Sequence, residues 1–375
     1  MRIKNIDSFK SDNLIDGLEK YLNSLEHKYN KYHYYPCKNG LTKAGQELSL
    51  GFSCYALKIY YTINKWKNIN ENDKQEWGNF INSFQKNEDG LPRNSFIDEA
   101  YIKNYNKFTF NAVAKDFVKK TLNLSSKYNY QLKKNELVNS VRAESKQAIA
   151  TLNQVKNKNK LPYEEFPKTE FEINKFLDSF DWSKPWSAGA QFSGLCVFSA
   201  TQLKDKENIK NHLGRYIDSK ASGDGFYYLG NKPNFTELVN GSMKVLTGLD
   251  WLGLPIHYPE KLIDMCLANK PSEAGCDLVD YVYVLYRCAL QTEYKKREIV
   301  SYLENFYELI FKHYHTDDGG FSYGINQSQM LYYGVTISQG LNESDIHGTV
   351  LLTWALSMIF KLTENKEYDW NVLKP

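Results

Sequence analysis

Residues 345–362 read DIHGTVLLTWALSMIFKL, and Asp345 and Lys361 are the two residues in this run of eighteen that carry a formal charge at pH 7 with His neutral. The apolar residues occupy every face of a helix drawn through the segment, and no polar stripe remains for solvent. A helix that is apolar all round is buried among other elements. The segment therefore predicts an inner helix that is surrounded by the rest of the fold.

Working outward from this segment, five more stretches have the same low charge and helical periodicity. They are residues 49–63, 144–155, 188–203, 240–252 and 278–290. Charged amphipathic stretches alternate with them, as expected of outer helices with one face on a core and one in water. These are residues 13–29, 73–85, 169–180, 206–216, 259–268 and 296–314.

About six inner–outer pairs indicate an all-α fold of the (α/α)6 toroid type, because such pairs bury their apolar faces only against neighbouring pairs. An open α-solenoid would show the same alternation. We favour a closed ring because neither end carries a polar capping repeat. Three Asp-Gly turns follow outer stretches, at Asp89-Gly90, Asp224-Gly225 and Asp318-Gly319, and predict tight turns with positive φ.

Composition narrows the range of functions. The 375 residues carry a net charge of +3, which argues against nucleic-acid binding, and no apolar run is long enough to span a membrane. The six cysteines form no CxxC pair and are expected to be buried free thiols, and the start of the chain lacks the apolar centre of a signal peptide. We therefore expect a cytoplasmic protein of one domain, with an irregular insertion at 91–130 that covers one mouth of the ring.

The C-terminal part of the sequence carries a family resemblance. Residues 317–324 read DDGGFSYG, and residues 344–359 read SDIHGTVLLTWALSMI. Together they resemble the last repeat of the terpenoid cyclase and protein prenyltransferase toroid superfamily. In the class II cyclases the matching helix opens with DxDDT, where this chain has DIHGT from Asp345 to Thr349. The resemblance implies the toroid fold and makes isoprenoid chemistry a candidate activity.

The sequence departs from these families where they carry their chemistry. The prenyltransferases have a zinc-binding cysteine in an LVDGC segment, but residues 278–282 read LVDYV, and the zinc-binding His falls one residue early. We expect no metal and no cofactor. The class II cyclases have their acidic Asp where this chain has His347. Because imidazolium is a much weaker acid than a carboxylic acid, protonation of a simple alkene is disfavoured.

The polar starts of the inner helices would meet at one mouth of a toroid, and the candidate site lies there. His347 is the candidate general acid or base, with Asp345 and Tyr333 beside it. The candidate substrate-binding residues are Asn240, Lys244, Arg142, Gln191, Trp186 and Asp280. The structural alternatives stay open: Asp345 can cap its helix, His347 can be a packing residue, and the others can be caps or solvated side chains.

Three functions remain open at this point. The first is an enzyme that uses acid–base chemistry on a polar, ring-bearing substrate, most plausibly a carbohydrate or glycan, as a lyase or hydrolase. The second is an isoprenoid cyclase or prenyltransferase-like enzyme that acts on an activated isoprenoid. The third is a toroid without catalytic activity that binds a peptide or a partner. A polar cavity lining favours the first, and a deep aromatic lining favours the second.

Overall fold

The computed structural model describes residues 11–106, 115, 118–120, 133–204 and 206–375. In chain order, its helices are α1 (Ser11–Leu25), α2 (Lys43–Glu47), α3 (Leu50–Thr62), α4 (Glu71–Asn82), α5 (Glu99–Tyr105), α6 (Lys133–Gln154), α7 (Glu170–Leu177), α8 (Pro185–Gln202), α9 (Glu207–Asp218), α10 (Phe235–Leu252), α11 (Pro259–Leu267), α12 (Gly275–Ala289), α13 (Lys296–Phe311) and α14 (Ile346–Leu362). A 3-10 turn covers Trp66–Asn68.

The strands are short and form antiparallel pairs. They are β1 (Gln85–Lys86), β2 (Ser95–Phe96), β3 (Tyr314–His315), β4 (Gly320–Phe321), β5 (Leu331–Tyr332) and β6 (Val335–Thr336). They pair as β1 with β2, β3 with β4 and β5 with β6, and the pair β5–β6 turns through Tyr333 and Gly334. Both turn residues have positive φ, 43° and 82°, as a two-residue hairpin turn of the I′ type requires.

Six apolar helices form a closed inner ring. Each inner helix packs on the next one in the order α3, α6, α8, α10, α12 and α14, and α14 also packs on α3. This closure confirms the all-α toroid and excludes an open solenoid, whose first and last inner helices do not touch. We call the space that these six helices enclose the central cavity.

The charged amphipathic helices lie outside this ring, as their sequence predicts. In α9, for example, Ile209, Leu213 and Ile217 are buried while the charged side chains of the helix face outward. Outer helices α4, α9 and α11 pack on α3, α8 and α12, and α13 bridges α12 and α14. The alternation of the sequence is therefore the alternation of the two layers.

The bounds of the predicted helices agree with the structure to within about five residues except in α6. This helix begins at Lys133 rather than near residue 144, because its first half is charged and resembles an outer helix in sequence. The three Asp-Gly turns are confirmed, since Gly90, Gly225 and Gly319 have φ of 78°, 94° and 83°.

Several other expectations concern the chain as a whole. All six cysteines are free, and five of them are buried. Across the described residues, no helix combines the length and the apolarity that crossing a bilayer takes. The single domain with an insertion at 91–130 stays a prediction, and most of residues 107–130 lie outside the described residues.

Candidate functional site

The start of α14 is held by a saturated aspartate. Asp345 is 1% exposed, and its Oδ1 accepts the N–H of Gly348 at 2.7 Å, as an N-cap does. Its Oδ2 accepts two more backbone N–H groups, from Tyr323 at 2.6 Å and Gln329 at 3.0 Å. Burial raises the pKa of Asp345 to about 7, against these N–H groups, which lower it. Asp345 therefore uses both of its carboxyl oxygens to tie the loop after β4 to the helix.

His347, two residues further on, lies between two tyrosine rings. Its ring stacks on Tyr55 of α3 at a centroid distance of 4.9 Å and on Tyr323 at 5.3 Å, with interplanar angles of 11° and 17°. Its Nδ1 is buried without a hydrogen-bond partner among the described residues. Burial, together with the charges of Lys244 and Lys58, lowers the pKa of His347 to about 3, so the imidazole is neutral at pH 7.

A second inner helix presents a buried acid to the same wall. Glu144 of α6 is 5% exposed, and Tyr332 of β5 donates a short hydrogen bond to its Oε1. Gly51 makes this contact possible, because a Cβ there would lie 1.9 Å from the Tyr332 hydroxyl. Burial raises the pKa of Glu144 to about 8, although the Tyr332 hydrogen bond lowers it, so the carboxyl is mostly protonated at pH 7.

Three lysines from three inner helices lie within electrostatic range of one another or of His347, and we call them the lysine cluster. They are Lys58 of α3, Lys146 of α6 and Lys244 of α10, and all three are half-buried. Their charges act on one another or on His347: Lys244 and Lys58 both lower the pKa of Lys146 and of His347. Among the described residues, none of the three makes a salt bridge, and Lys146 alone makes a hydrogen bond, to the Ser193 hydroxyl at 2.9 Å.

Burial lowers the pKa of Lys58, and it lowers the pKa of Lys146 to about 7, with the help of Lys244 and Lys58. Lys58 and Lys146 are thus partly removed from water, which disfavours their charged forms, although both side chains keep some exposed surface. Outside this wall, lysines are commonly paired, as Lys65 is with Glu19 at 2.6 Å. The lysine cluster therefore leaves positive charge uncompensated inside the ring.

Two acids of α12 complete this wall. Asp277 accepts from Asn240 at 3.1 Å and from Ser272, and the Oδ1 of Asn240 is buried without a partner among the described residues. Asp280 is 5% exposed and has no hydrogen bond within the described part of the chain. Burial raises the pKa of Asp280 to about 7, against the charge of Lys244. No group of three described His, Cys, Asp or Glu residues is arranged to hold a metal ion.

The predicted site residues thus divide into two sets. His347, Lys244 and Asp280 share one electrostatic environment, and Asn240 lies beside it through Asp277. The others make no hydrogen bond or ion pair with the lysine cluster among the described residues.

The charge of Arg142 lowers the pKa of Tyr163, against burial, which raises it. Trp186 is 49% exposed and donates its backbone N–H to Glu237, and Gln191 is half-buried. Tyr333 lies at the tip of the β5–β6 hairpin, 37% exposed, where its carbonyl accepts from Tyr101. Their roles in a site stay predictions.

Sequence reasoning missed Lys58, Lys146, Tyr55 and Tyr323. A usable signal existed for the lysines, since Lys58 is the one charged residue in the apolar run of α3, LGFSCYALKIYYT. Lysine is almost never placed in such a run without a reason. Nothing comparable marks Tyr55 or Tyr323, because the chain has 28 tyrosines and the stacking depends on the closure of α14 on α3.

Comparisons with known proteins add the following. No protein-family model matches the chain, and no curated protein matches it. Among solved structures, the chain is similar to a variant of the type II terpene cyclase MstE from Scytonema, in complex with its product merosterolic acid A. The identity is 12%, 94% of this chain and 98% of the cyclase are covered, and the TM-score is 0.41. The ring of helix contacts, and not this likeness, establishes the toroid.

Proposed function

We propose that the protein is an enzyme that binds a small anionic substrate in the central cavity and acts on it by proton transfer. The observation that carries the proposal is the lysine cluster, in which three half-buried lysine side chains from three helices make no salt bridge within the described residues. Cations forced together inside a fold lower its stability. A ligand with a phosphate, diphosphate or carboxylate group would compensate them and accounts for their presence.

Proton donors and an acceptor are available at the same wall. Glu144, with its pKa raised to about 8 by burial, holds a proton at pH 7, and Asp280, with its pKa raised to about 7, holds one about half the time. A general acid is most effective when its pKa lies near the working pH. The neutral ring of His347 has one nitrogen that can accept a proton.

Binding of an anion would also prepare His347 for this role. The charges of Lys244 and Lys58 contribute to its lowered pKa, after burial. An anion held between these lysines cancels that contribution, and the imidazole then accepts a proton more readily. The site would become active as the substrate arrives.

The remainder of the lining suits a hydrocarbon skeleton. Tyr55 and Tyr323 stack on the His347 ring, and Phe52 packs on Tyr332 at 5.2 Å, so aromatic rings surround the polar groups of this wall. A substrate with an acid group and an apolar part matches both the lysine cluster and the aromatic side chains. Isoprenoid diphosphates and isoprenoid carboxylates belong to this class. A neutral carbohydrate would leave the lysine cluster unexplained, so we no longer favour the glycan lyase or hydrolase. The cytoplasmic location stays a prediction.

Calorimetric titration with inorganic pyrophosphate and with farnesyl diphosphate tests the proposal. We expect both to bind, the second more tightly because its chain contacts the aromatic side chains. Lys244→Met should weaken binding at least tenfold, about 1.4 kcal/mol. The control Lys296→Met, on the outer helix α13 where Lys296 pairs with Glu293, should bind as the wild type does. Equal weakening by both variants, or no binding of either anion, would contradict the proposed function.

Proton transfer is tested separately by incubating pyruvate, an anion whose carbonyl group activates the protons of its methyl group, with the protein in D2O. Mass spectrometry should find deuterium on carbon in the recovered compound, because the acid that delivers the proton exchanges with solvent. Glu144→Gln keeps the acceptor for Tyr332 but removes the acidic proton, and we expect it to reduce the incorporation at least a hundredfold. Incorporation that persists in this variant would rule out Glu144 as the acid.

A further inference from the structure

Another cavity lies between the two helix layers, and we call it the outer pocket. It is bounded by the outer helix α9, by Leu249 near the end of the inner helix α10, and by the loop that leads to α11. Its volume is about 310 Å³, at the lower end of the range for pockets that hold small molecules. No residue of the lysine cluster lines it, so it is a separate space from the proposed active site.

One face of α9 forms a wall of the outer pocket. The residues on this face are spaced by three or four positions, as one side of a helix requires, and they are Asn211, Gly214, Arg215 and Asp218. Gly214 stands inside the helix, where glycine is among the least favourable residues. A Cβ at Gly214 would meet the side chain of Leu254 at 3.4 Å, an ordinary contact, so close packing does not explain the glycine. The missing side chain keeps the pocket open.

The pocket carries one positive and one negative group that do not pair with each other. The exposed Arg215 makes no hydrogen bond or ion pair with any described residue, although Asp218 lies one turn further along the helix. Asp218 is held instead by His257, whose Nε2 lies 2.6 Å from Oδ1 and whose Nδ1 lies 3.0 Å from the hydroxyl of the buried Tyr227. Within the described structure, Oδ2 of Asp218 has no hydrogen-bond partner.

The rest of the lining is apolar. Ile217 and Leu249 are buried beneath the pocket, and Leu254 is half-buried at its side. A purely anionic ligand would be repelled by Asp218, and a purely cationic ligand by Arg215. A small dipolar molecule with an aliphatic chain satisfies both charged groups and covers the apolar lining.

We propose that the outer pocket binds a free α-amino acid with an aliphatic side chain. The ligand carboxylate pairs with Arg215, and the Asn211 amide can donate to it. The ligand ammonium pairs with Oδ2 of Asp218, and the aliphatic side chain packs on Leu249 and Leu254. Both charged partners on the protein are exposed, so each ion pair contributes little and we expect a dissociation constant of about 1 mM. This inference does not rest on the proposed function.

Calorimetric titration with L-leucine as the probe tests the ligand class. We expect L-leucine to bind. The analogue 4-methylpentanoate lacks the ammonium group and L-leucinamide lacks the carboxylate, and each should bind at least tenfold more weakly. Either analogue binding as tightly as L-leucine would overturn the assignment of a dipolar ligand.

Two variants test the location. Gly214→Leu fills the pocket with a side chain and adds a strong helix former, and it should abolish measurable binding of L-leucine. Arg215→Met changes an exposed residue and should weaken binding at least tenfold. The control Lys210→Met lies on the same helix, where Lys210 pairs with Glu207 outside the pocket lining, and should bind as the wild type does. Circular dichroism checks that all three variants are folded.

The outcomes separate this inference from the proposed function. L-leucine binding that Gly214→Leu and Arg215→Met impair and Lys210→Met leaves unchanged supports the inference, and pyrophosphate should still bind to Gly214→Leu. Absence of L-leucine binding, or binding that either pocket variant leaves unchanged, overturns the inference. Loss of L-leucine binding in Lys244→Met but not in Gly214→Leu would place the amino acid in the central cavity, which overturns the inference and leaves the proposed function standing.

Discussion

The start of α14 and the lysine cluster border the same cavity, yet they treat their polar groups in opposite ways. At the start of α14, Asp345 accepts three backbone N–H groups. In the lysine cluster, three lysine side chains have one hydrogen bond among them within the described structure, from Lys146 to Ser193. A polar group whose bonds are complete holds the fold together. A group whose bonds are incomplete lowers stability unless a ligand completes them.

This contrast also separates the most conspicuous sequence motif from the lysine cluster. The DIHGT segment carries the family resemblance, and its Asp345 is the residue that a family comparison brings forward first. In the structure this aspartate is a helix cap, whereas the uncompensated charges come from helices without a motif. Four measurements test this contrast, and they follow in order of decreasing expected effect.

The largest effect is expected at Asp345. Asp345→Ala removes the acceptor of three backbone N–H groups at a position that is 1% exposed, and we expect the free energy of unfolding to fall by about 4 kcal/mol. Urea denaturation measures this. Ser344→Ala is the matched control, because the Ser344 hydroxyl is buried without a partner among the described residues, and it should change stability by less than about 0.5 kcal/mol. A loss of unfolding free energy below about 1 kcal/mol for Asp345→Ala would contradict the claim that the hydrogen bonds of Asp345 hold the fold together.

The next effect is a pH dependence that Glu144 imposes. Its pKa rises from 4.5 to about 8 on folding, so the folded protein binds this proton more tightly. The resulting stability is present in full below pH 4.5 and is lost as the pH rises toward 8. Between pH 5 and pH 8, the wild type should lose about 3 kcal/mol of unfolding free energy relative to Glu144→Gln. The exposed control Glu260→Gln should run parallel to the wild type, and parallel curves for all three proteins would contradict the raised pKa.

A smaller effect of opposite sign is expected within the lysines. Lys58→Met replaces an uncompensated cation on α3 by an apolar chain of similar length and should raise the unfolding free energy by about 1 kcal/mol. Lys65→Met breaks the pair with Glu19 and should lower it by about 0.5 kcal/mol. Thermal denaturation at pH 7 compares the two. If both variants are destabilised alike, Lys58 is a paired structural lysine. The claim that the lysine cluster lowers the stability of the fold would then be wrong.

The smallest effect concerns His347, whose ring should not take up a proton in the pH range that is usual for histidine. NMR of the His347 ring should show a neutral imidazole from pH 7 down to about pH 4, because its pKa is lowered to about 3. Addition of pyrophosphate should move the titration to higher pH, as the charges of Lys244 and Lys58 are compensated. His212, on the outer helix α9, serves as the internal reference. A midpoint for His347 near 6.5 without ligand would contradict its placement between the tyrosines.

The fold could be predicted from the sequence to a large extent, and the site only in part. The periodicity of the inner and outer segments is local, so it gave the layers, the six pairs and the Asp-Gly turns. The site depends on contacts between distant residues, such as Tyr55 with His347 or Tyr332 with Glu144, which no local pattern encodes. Lys58 shows the intermediate case, since its charge in an apolar helix was visible but its two partners in the lysine cluster became evident only through ring closure.

A crystal structure of the protein soaked in tungstate, a tetrahedral anion with strong anomalous scattering, tests the central claim most directly. We predict a tungstate peak inside the ring, within hydrogen-bond distance of at least two of the ammonium groups of Lys58, Lys146 and Lys244. Tungstate bound at outer lysines with none in the central cavity would contradict the claim that the lysine cluster is an anion-binding site.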